Sequence, residues 1–297
     1  MRRLGQHFLL DRGAAEKIIA ALELAPRDTV IEIGAGHGEL TRELAELARR
    51  GKRIEDRGRV KIIAIEKDPR LVERLREKFS DTMSVEVIEG DALELLPTLC
   101  SGFHGSGFKI VGNIPYYITG HLLRAIGGLD PKPTITVITI QKEVAERIVA
   151  VPTRSSRLRL ALRGCSGPRT GASRGMNRLA ASVQFWAEPT IVQTIPRSSF
   201  SPPPKVDSAT LRLVRRPPRR GGPSHAAYDC AVGALFRQPR KTILNNLAAA
   251  AERNEPGGRA PTREALSKTL RAFGIAPDGR PQNLDIAAII KIARHLF

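Results

Sequence analysis

The stretch that most constrains the fold is Val30-Ile31-Glu32-Ile33-Gly34-Ala35-Gly36-His37-Gly38-Glu39-Leu40-Thr41. A run of apolar, mostly β-branched residues breaks into three alternating glycines and then into a helical pattern, which reads as strand, tight turn and helix. Glycine at such a turn lets the backbone reach φ values closed to other residues and lets a ligand approach the main chain closely. The same alternation continues downstream. Thr29–Ile33, Val60–Glu66, Ser84–Ile88, Lys109–Gly112 and Thr134–Ile140 are short, apolar strand candidates. Ala14–Leu24, Glu39–Arg50 and Pro69–Phe79 carry apolar residues at three and four spacing. Strands alternating with amphipathic helices predict an α/β fold around a parallel sheet.

After a helical stretch at Gln141–Val151 the pattern fails. Thr153–Gly175 holds six Arg, four Gly and four Ser with little periodicity, and it reads as a flexible basic insertion. Order returns with a helix at Met176–Trp186 and strands at Thr190–Ile195 and Ser208–Val214, separated by Pro202-Pro203-Pro204. Pro217–Pro223 reads as a linker. Beyond it, 225–236, 240–252, 262–273 and 283–295 are helical in pattern. The expected organisation is a sheet domain over 1–216, with the insertion at about 153–175, and a small helical domain over 224–297.

Charge separates these two parts. Residues 1–150 hold 23 basic and 22 acidic side chains, whereas 151–297 hold 25 and 8, so almost all of the net charge of +18 lies in the second half. A neutral half beside a polycationic one fits chemistry on a small molecule combined with a grip on a polyanion, nucleic acid first. No apolar run approaches the roughly 20 residues of a bilayer-spanning helix. Met1-Arg2-Arg3 leads into polar residues rather than a secretory core. Cys100, Cys165 and Cys230 form no C-x-x-C pair. The expectation is a cytoplasmic protein with no membrane partner. The six histidines form no H-x-x-x-H or His/Cys cluster, so no metal is expected.

Acidic residues recur where the strands end. Glu32 stands two residues before Gly34, and a G-x-G-x-G spacing beside an acid opposes a pyrophosphate but suits a ligand with a cationic amino-acid end, as in S-adenosylmethionine. Glu66 closes the second strand, where a carboxylate can accept ribose hydroxyls, and Asp91 follows the third, where it can accept an adenine amine. The fourth strand runs into Gly112-Asn113-Ile114-Pro115-Tyr116-Tyr117. An exocyclic adenine amine is a poor nucleophile because its lone pair is delocalised into the ring. Two acceptors on its N–H groups favour the pyramidal, reactive form, and Asn113 Oδ1 with the Ile114 carbonyl, held outward by Pro115, can supply them. Tyr116 can stack on an extruded base.

Arg3-Leu4-Gly5-Gln6-His7-Phe8-Leu9, the glycine run, Asn113-Ile114-Pro115-Tyr116, Ser199–Ser208 and Leu235–Thr242 together resemble the rRNA adenine N6-dimethyltransferases of the KsgA type, in the family's order and over nearly the whole chain. The resemblance implies a class I S-adenosylmethionine-dependent methyltransferase: a Rossmann-like, seven-stranded sheet whose seventh strand is antiparallel, with a small C-terminal α-helical domain. It implies dimethylation of two adjacent adenosines near the 3′ end of small-subunit rRNA, within a pre-assembled small subunit, by a monomer. By position, His7, Leu9, Gly34, Gly36, Glu66, Asp91 and Asn113 match cofactor-contacting residues. Asn113, Ile114, Pro115 and Tyr116 match the catalytic loop, and Phe200 matches the aromatic facing the target base opposite Tyr116. Arg215, Arg216, Arg219, Arg220, Arg237, Arg240 and Lys241 are candidates for phosphate contacts. Three other functions compete: a large-subunit rRNA adenine methyltransferase, a non-catalytic RNA-binding assembly factor retaining the fold, and a nicotinamide oxidoreductase, which the glycine spacing disfavours.

Overall fold

The structure is a computed structural model that describes residues 6–50, 60–103, 107–150, 175–254 and 261–297. Apart from Gly175, the expected basic insertion lies outside the described residues, as do Arg3, Leu4 and Gly5.

Seven strands form the main sheet: β2 (Thr29–Ile33), β3 (Lys61–Glu66), β4 (Val85–Glu89), β5 (Phe108–Asn113), β6 (Ile135–Gln141), β7 (Ala187–Ile195) and β9 (Ser208–Arg215). Their order is β4-β3-β2-β5-β6-β9-β7. Pairing is parallel from β4 to β6, while β9 runs antiparallel to both of its neighbours, so the last strand in sequence is the reversed one. The sheet therefore has the expected form. A separate two-stranded ribbon joins β1 (Phe8–Leu9) to β8 (Phe200–Ser201).

Central strands are apolar on both faces because helices cover both. Val30, Ile31, Glu32 and Ile33 are all buried. On one face Val30, Ile62, Ala64, Val111 and Val137 join Ile18, Leu22, Leu40, Leu44 and Leu75 in one core, where each large apolar side chain contributes roughly 1.5–3 kcal/mol relative to exposure. Helix starts are set by aspartates: Asp11, Asp68 and Asp91 each accept a backbone N–H of the first turn of the following helix.

The chain forms two compact units, Met1–Glu146 with Trp186–Arg216, and Arg147–Phe185 with Pro217–Phe297. This differs from a single cut near residue 220, because the helix Arg178–Trp186 packs mainly with the later helices. Its Ala180 and Ala181 share a core with Tyr228, Leu235, Leu247 and Ile289. Phe185 stacks on Tyr228 with ring centroids 3.8 Å apart, and the Tyr228 hydroxyl donates to the Ala181 carbonyl. Among the described residues no helix is long and apolar enough to cross a membrane.

Candidate active site

Parallel register puts the carboxyl ends of β2, β3 and β5 side by side, with Ile33 opposite both Ile65 and Gly112. The chain leaves β2 at the point where the strand order switches direction, the usual ligand crevice of an open α/β sheet. Gly34 and Gly36 turn there at φ 70° and 60°. Gly34 and Ala35 both donate their N–H to the Ile65 carbonyl. The Glu66 carboxylate holds the rest of the turn: Oε2 accepts from Gly36 N at 2.9 Å, and Oε1 accepts from Lys67 N and Asp68 N. A side chain at position 36 would adopt a φ that favours glycine and would press on the Phe8 ring at 3.0 Å, so conformation and space both favour glycine.

Across the crevice β5 delivers Asn113. A Cβ at Gly112 would stand 2.5 Å from the Ile33 carbonyl oxygen, so this glycine lets the two strand ends close up. Asn113 Nδ2 donates to the His7 carbonyl at 2.7 Å, which turns Oδ1 into the acceptor left for a ligand. Ile114 N donates to the Thr139 carbonyl, and the Ile114 side chain is buried. Tyr116 is half-buried, with its hydroxyl 2.7 Å from Ser208 Oγ, and burial pushes its phenol above the usual range. His7 is itself fixed, since Nδ1 donates to the Pro202 carbonyl. A pocket opens between these groups, lined by Gln6, His7, Phe8, Gly34, Gly36, Asn113, Ile114, Pro115 and Tyr116.

The structure thus gathers His7, Gly34, Gly36, Asn113, Ile114, Pro115 and Tyr116 in one place, with Glu66 immediately behind the turn. Leu9 and Phe200 are placed elsewhere: they pair across the ribbon, and both side chains sit in the hydrophobic core at 3% and 4% exposure. The ring of Phe200 is buried in that core. Asp91 lies on the flank next to β3. Its Oδ1 caps the helix Ala92–Ser101 through Leu93 N, and its Oδ2 meets Lys67 Nζ at 2.8 Å, which holds the carboxyl below the usual range.

Glu32 requires a correction. The sequence predicts a charge there that attracts a cationic ligand, but the residue is 1% exposed on the face covered by the helix Glu39–Arg50, where Oε2 accepts from Thr41 Oγ1 at 2.6 Å. Desolvation pushes its carboxyl up to about 8, so the group is mainly neutral at pH 7. Sequence reasoning gave no role to Phe8, Gly112 or Ser208. Each stands inside a motif, Phe8 beside His7, Gly112 before Asn113 and Ser208 at the end of the Pro-rich run, but motif membership alone does not show what its side chain or missing side chain does.

A seven-stranded sheet with one reversed strand, a glycine turn and an Asn-Ile-Pro-Tyr loop on adjacent strand ends define the class: a class I S-adenosylmethionine-dependent methyltransferase. The sequence matches the family model described as "Ribosomal RNA adenine dimethylase" over residues 1–163 and 168–260. It is 35% identical over 301 residues to "Ribosomal RNA small subunit methyltransferase A" of Pelotomaculum thermopropionicum, covering 98% of this chain and 90% of that one. Two solved structures superpose over nearly the full length. A dimethyladenosine transferase from Plasmodium falciparum gives a TM-score of 0.69 at 25% identity, covering 96% of each chain. The 23S rRNA methyltransferase ErmE gives 0.62 at 26%, covering 97% of this chain and 99% of that one. The chain belongs to the ribosomal RNA adenine dimethylase family, and it is an enzyme that uses S-adenosylmethionine to methylate rRNA adenosines.

Proposed function

We propose that this protein dimethylates N6 of two adjacent adenosines near the 3′ end of small-subunit rRNA, acting as a cytoplasmic monomer on a pre-assembled small ribosomal subunit. The observation that carries the chemistry is the 2.7 Å bond from Asn113 Nδ2 to the His7 carbonyl. An amide free to flip would present donor or acceptor with similar ease; with Nδ2 held on the His7 carbonyl, Oδ1 would be the atom that accepts from the substrate. Asn113 Oδ1 and the Ile114 carbonyl would take the two amine hydrogens, and Tyr116 would stack on the base.

The residues present fit S-adenosylmethionine. The turn at Gly34 and Gly36 offers backbone without side-chain bulk, and His7 and Gln6 close the crevice beside it. Glu66 would take the ribose hydroxyls with the lone pair that Oε2 retains, and Asp91 would take the adenine amine. The cofactor supplies an electrophilic methyl on a sulfonium that is already a good leaving group. The protein's tasks are therefore orientation and polarisation of the amine, and no side chain need act as a strong base. Leu9 and Phe200, paired across the ribbon that carries the His7 segment, would hold that segment in place, Leu9 towards the cofactor and Phe200 towards the target base opposite Tyr116.

The helical unit would hold rRNA. Arg219, Arg220, Arg237, Arg240 and Lys241 are exposed, whereas Arg215 and Arg216 are partly engaged with the carbonyls of Lys132 and Ala187. Buried Asn246 pins the loop that carries Arg237, Arg240 and Lys241: it accepts from Gln238 N and donates to the carbonyls of Gln238, Lys241 and Thr242. A fixed basic loop needs no ordering when it meets phosphate.

A large-subunit target is the second reading, because the ErmE structure superposes almost as well as the dimethyladenosine transferase. Sequence favours the small subunit through the 35% relative. Mapping N6-methylated adenines on both rRNAs, in cells with and without the gene, tests the choice. Loss of a dimethylated pair from the small-subunit rRNA is expected; loss from the large-subunit rRNA alone would replace this proposal with the second reading.

A further inference from the structure

Two consecutive tyrosines close the reaction loop, and only the first belongs to the pocket. Tyr116–Ile118 is a single 3-10 turn, in which successive side chains diverge by about a third of a turn. Tyr116 points inward and is anchored on Ser208. Tyr117 is consequently thrown out to solvent and is 69% exposed. Its neighbour in that turn, Tyr116, lines the pocket, so Tyr117 stands in the chain directly beside the opening.

Tyr117 is not an isolated apolar group. Leu10 and Val206 are also large, apolar and strongly exposed. Leu10 follows the segment that supplies His7 and is fastened by its N–H to the Ser199 carbonyl, while Val206 lies two residues before the serine that anchors Tyr116. The segments that supply His7, Tyr116 and the Ser208 anchor of Tyr116 thus each carry an exposed apolar side chain. A polar rim would suffice for a site that received only a small molecule. A nucleotide drawn into the pocket, by contrast, brings its covalently linked neighbour to the mouth, and an unstacked base there needs a flat apolar partner.

We propose that Tyr117 seats the base adjacent to the target adenosine, stacking on it while the target occupies the pocket beside Tyr116. The inference rests on the proposed substrate, two adjacent adenosines. Tyr117 is then a specificity residue: it selects an unstacked dinucleotide and holds the second adenosine ready for its own turn.

The test uses the full-length enzyme, small ribosomal subunits with unmethylated rRNA, and the variants Tyr117→Ala and Tyr117→Phe. Loss of a base-stacking ring lowers affinity roughly 5- to 150-fold. Tyr117→Ala is expected to raise KM for the subunit within that range and to increase the share of subunits modified at one adenosine only. Tyr117→Phe keeps the ring and should stay within about threefold of wild type, and both variants should bind S-adenosylmethionine without RNA as wild type does. A Tyr117→Ala protein with unchanged KM and unchanged site distribution would overturn the proposal. So would a matching loss of cofactor affinity, which would make the ring a cofactor cover. Wild-type enzyme that leaves these adenosines unmodified would overturn the substrate reading as well, and is thereby distinguished from failure of Tyr117 alone.

Discussion

The carboxylate of Glu66 accepts the backbone N–H of Gly36 across 2.9 Å, joining the end of one strand to the glycine turn that follows its neighbour. Its other oxygen accepts two further N–H groups, from Lys67 and Asp68. One buried acid therefore organises three backbone donors at the rim of the pocket.

Replacing Glu66 by Gln puts an N–H₂ where at least one of those donors needs an acceptor. The turn should loosen, and S-adenosylmethionine affinity, measured by equilibrium dialysis, should fall at least tenfold, with a stability loss of about 1–3 kcal/mol in denaturant unfolding. Unchanged affinity would remove Glu66 from the cofactor site.

Asn113→Ala deletes the oriented acceptor and the bond to His7 together. A fall in kcat of about 10²-fold or more is expected, the scale seen when one oriented transition-state contact is lost, with cofactor affinity nearly intact. Equal loss of kcat and cofactor affinity would assign Asn113 to scaffolding instead.

Glu32 gives the fold a pH dependence of known sign. Its folded pKa, about 8, lies above the ordinary value of 4.5, so the folded state holds the extra proton between them. Stability contributed by the neutral acid is complete below about 4.5 and is lost as pH rises through about 8. Between pH 6.5 and 8.5 this amounts to about 2 kcal/mol. Glu32→Gln, neutral throughout, should flatten that decline in urea titrations; parallel pH profiles for variant and wild type would contradict a protonated Glu32.

Binding to small subunits should weaken steeply, by about 10-fold or more, between 50 and 200 mM salt, as expected when several phosphates are neutralised. Asn246→Ala should weaken binding while leaving every positive charge in place, because the pinned loop loses its four hydrogen bonds. Filter binding across a salt series measures both. A variant that binds as tightly as wild type would show that the charges act without the loop's fixed shape.

Much of this was legible along the chain. β2 lies where its β-branched run predicts, and the ends of the other sheet strands lie within three residues of those the sequence predicts. The loop at Asn113–Tyr116 was readable because its chemistry is local: an acceptor, a carbonyl and a rigid proline in succession. Asp91 shows where reading stops, since an acid at a strand end is equally a ligand acceptor and a helix cap, and here Leu93 N takes the cap. The neutral state of Glu32 depends on the helix lying over it, which no neighbour in sequence reveals.

The sequence by itself determined the α/β alternation, the turn at Gly34–Gly38 and the residues of the reaction loop, because backbone conformation and helical or strand periodicity arise from neighbours a few positions apart. Only the tertiary structure decided that His7 orients Asn113 from 106 positions away, that Phe200 belongs to the core and that Tyr117 faces outward. Hydrogen-bond partners and burial are settled when distant segments pack together, and packing distributes groups of the same chemical type between water, core and pocket.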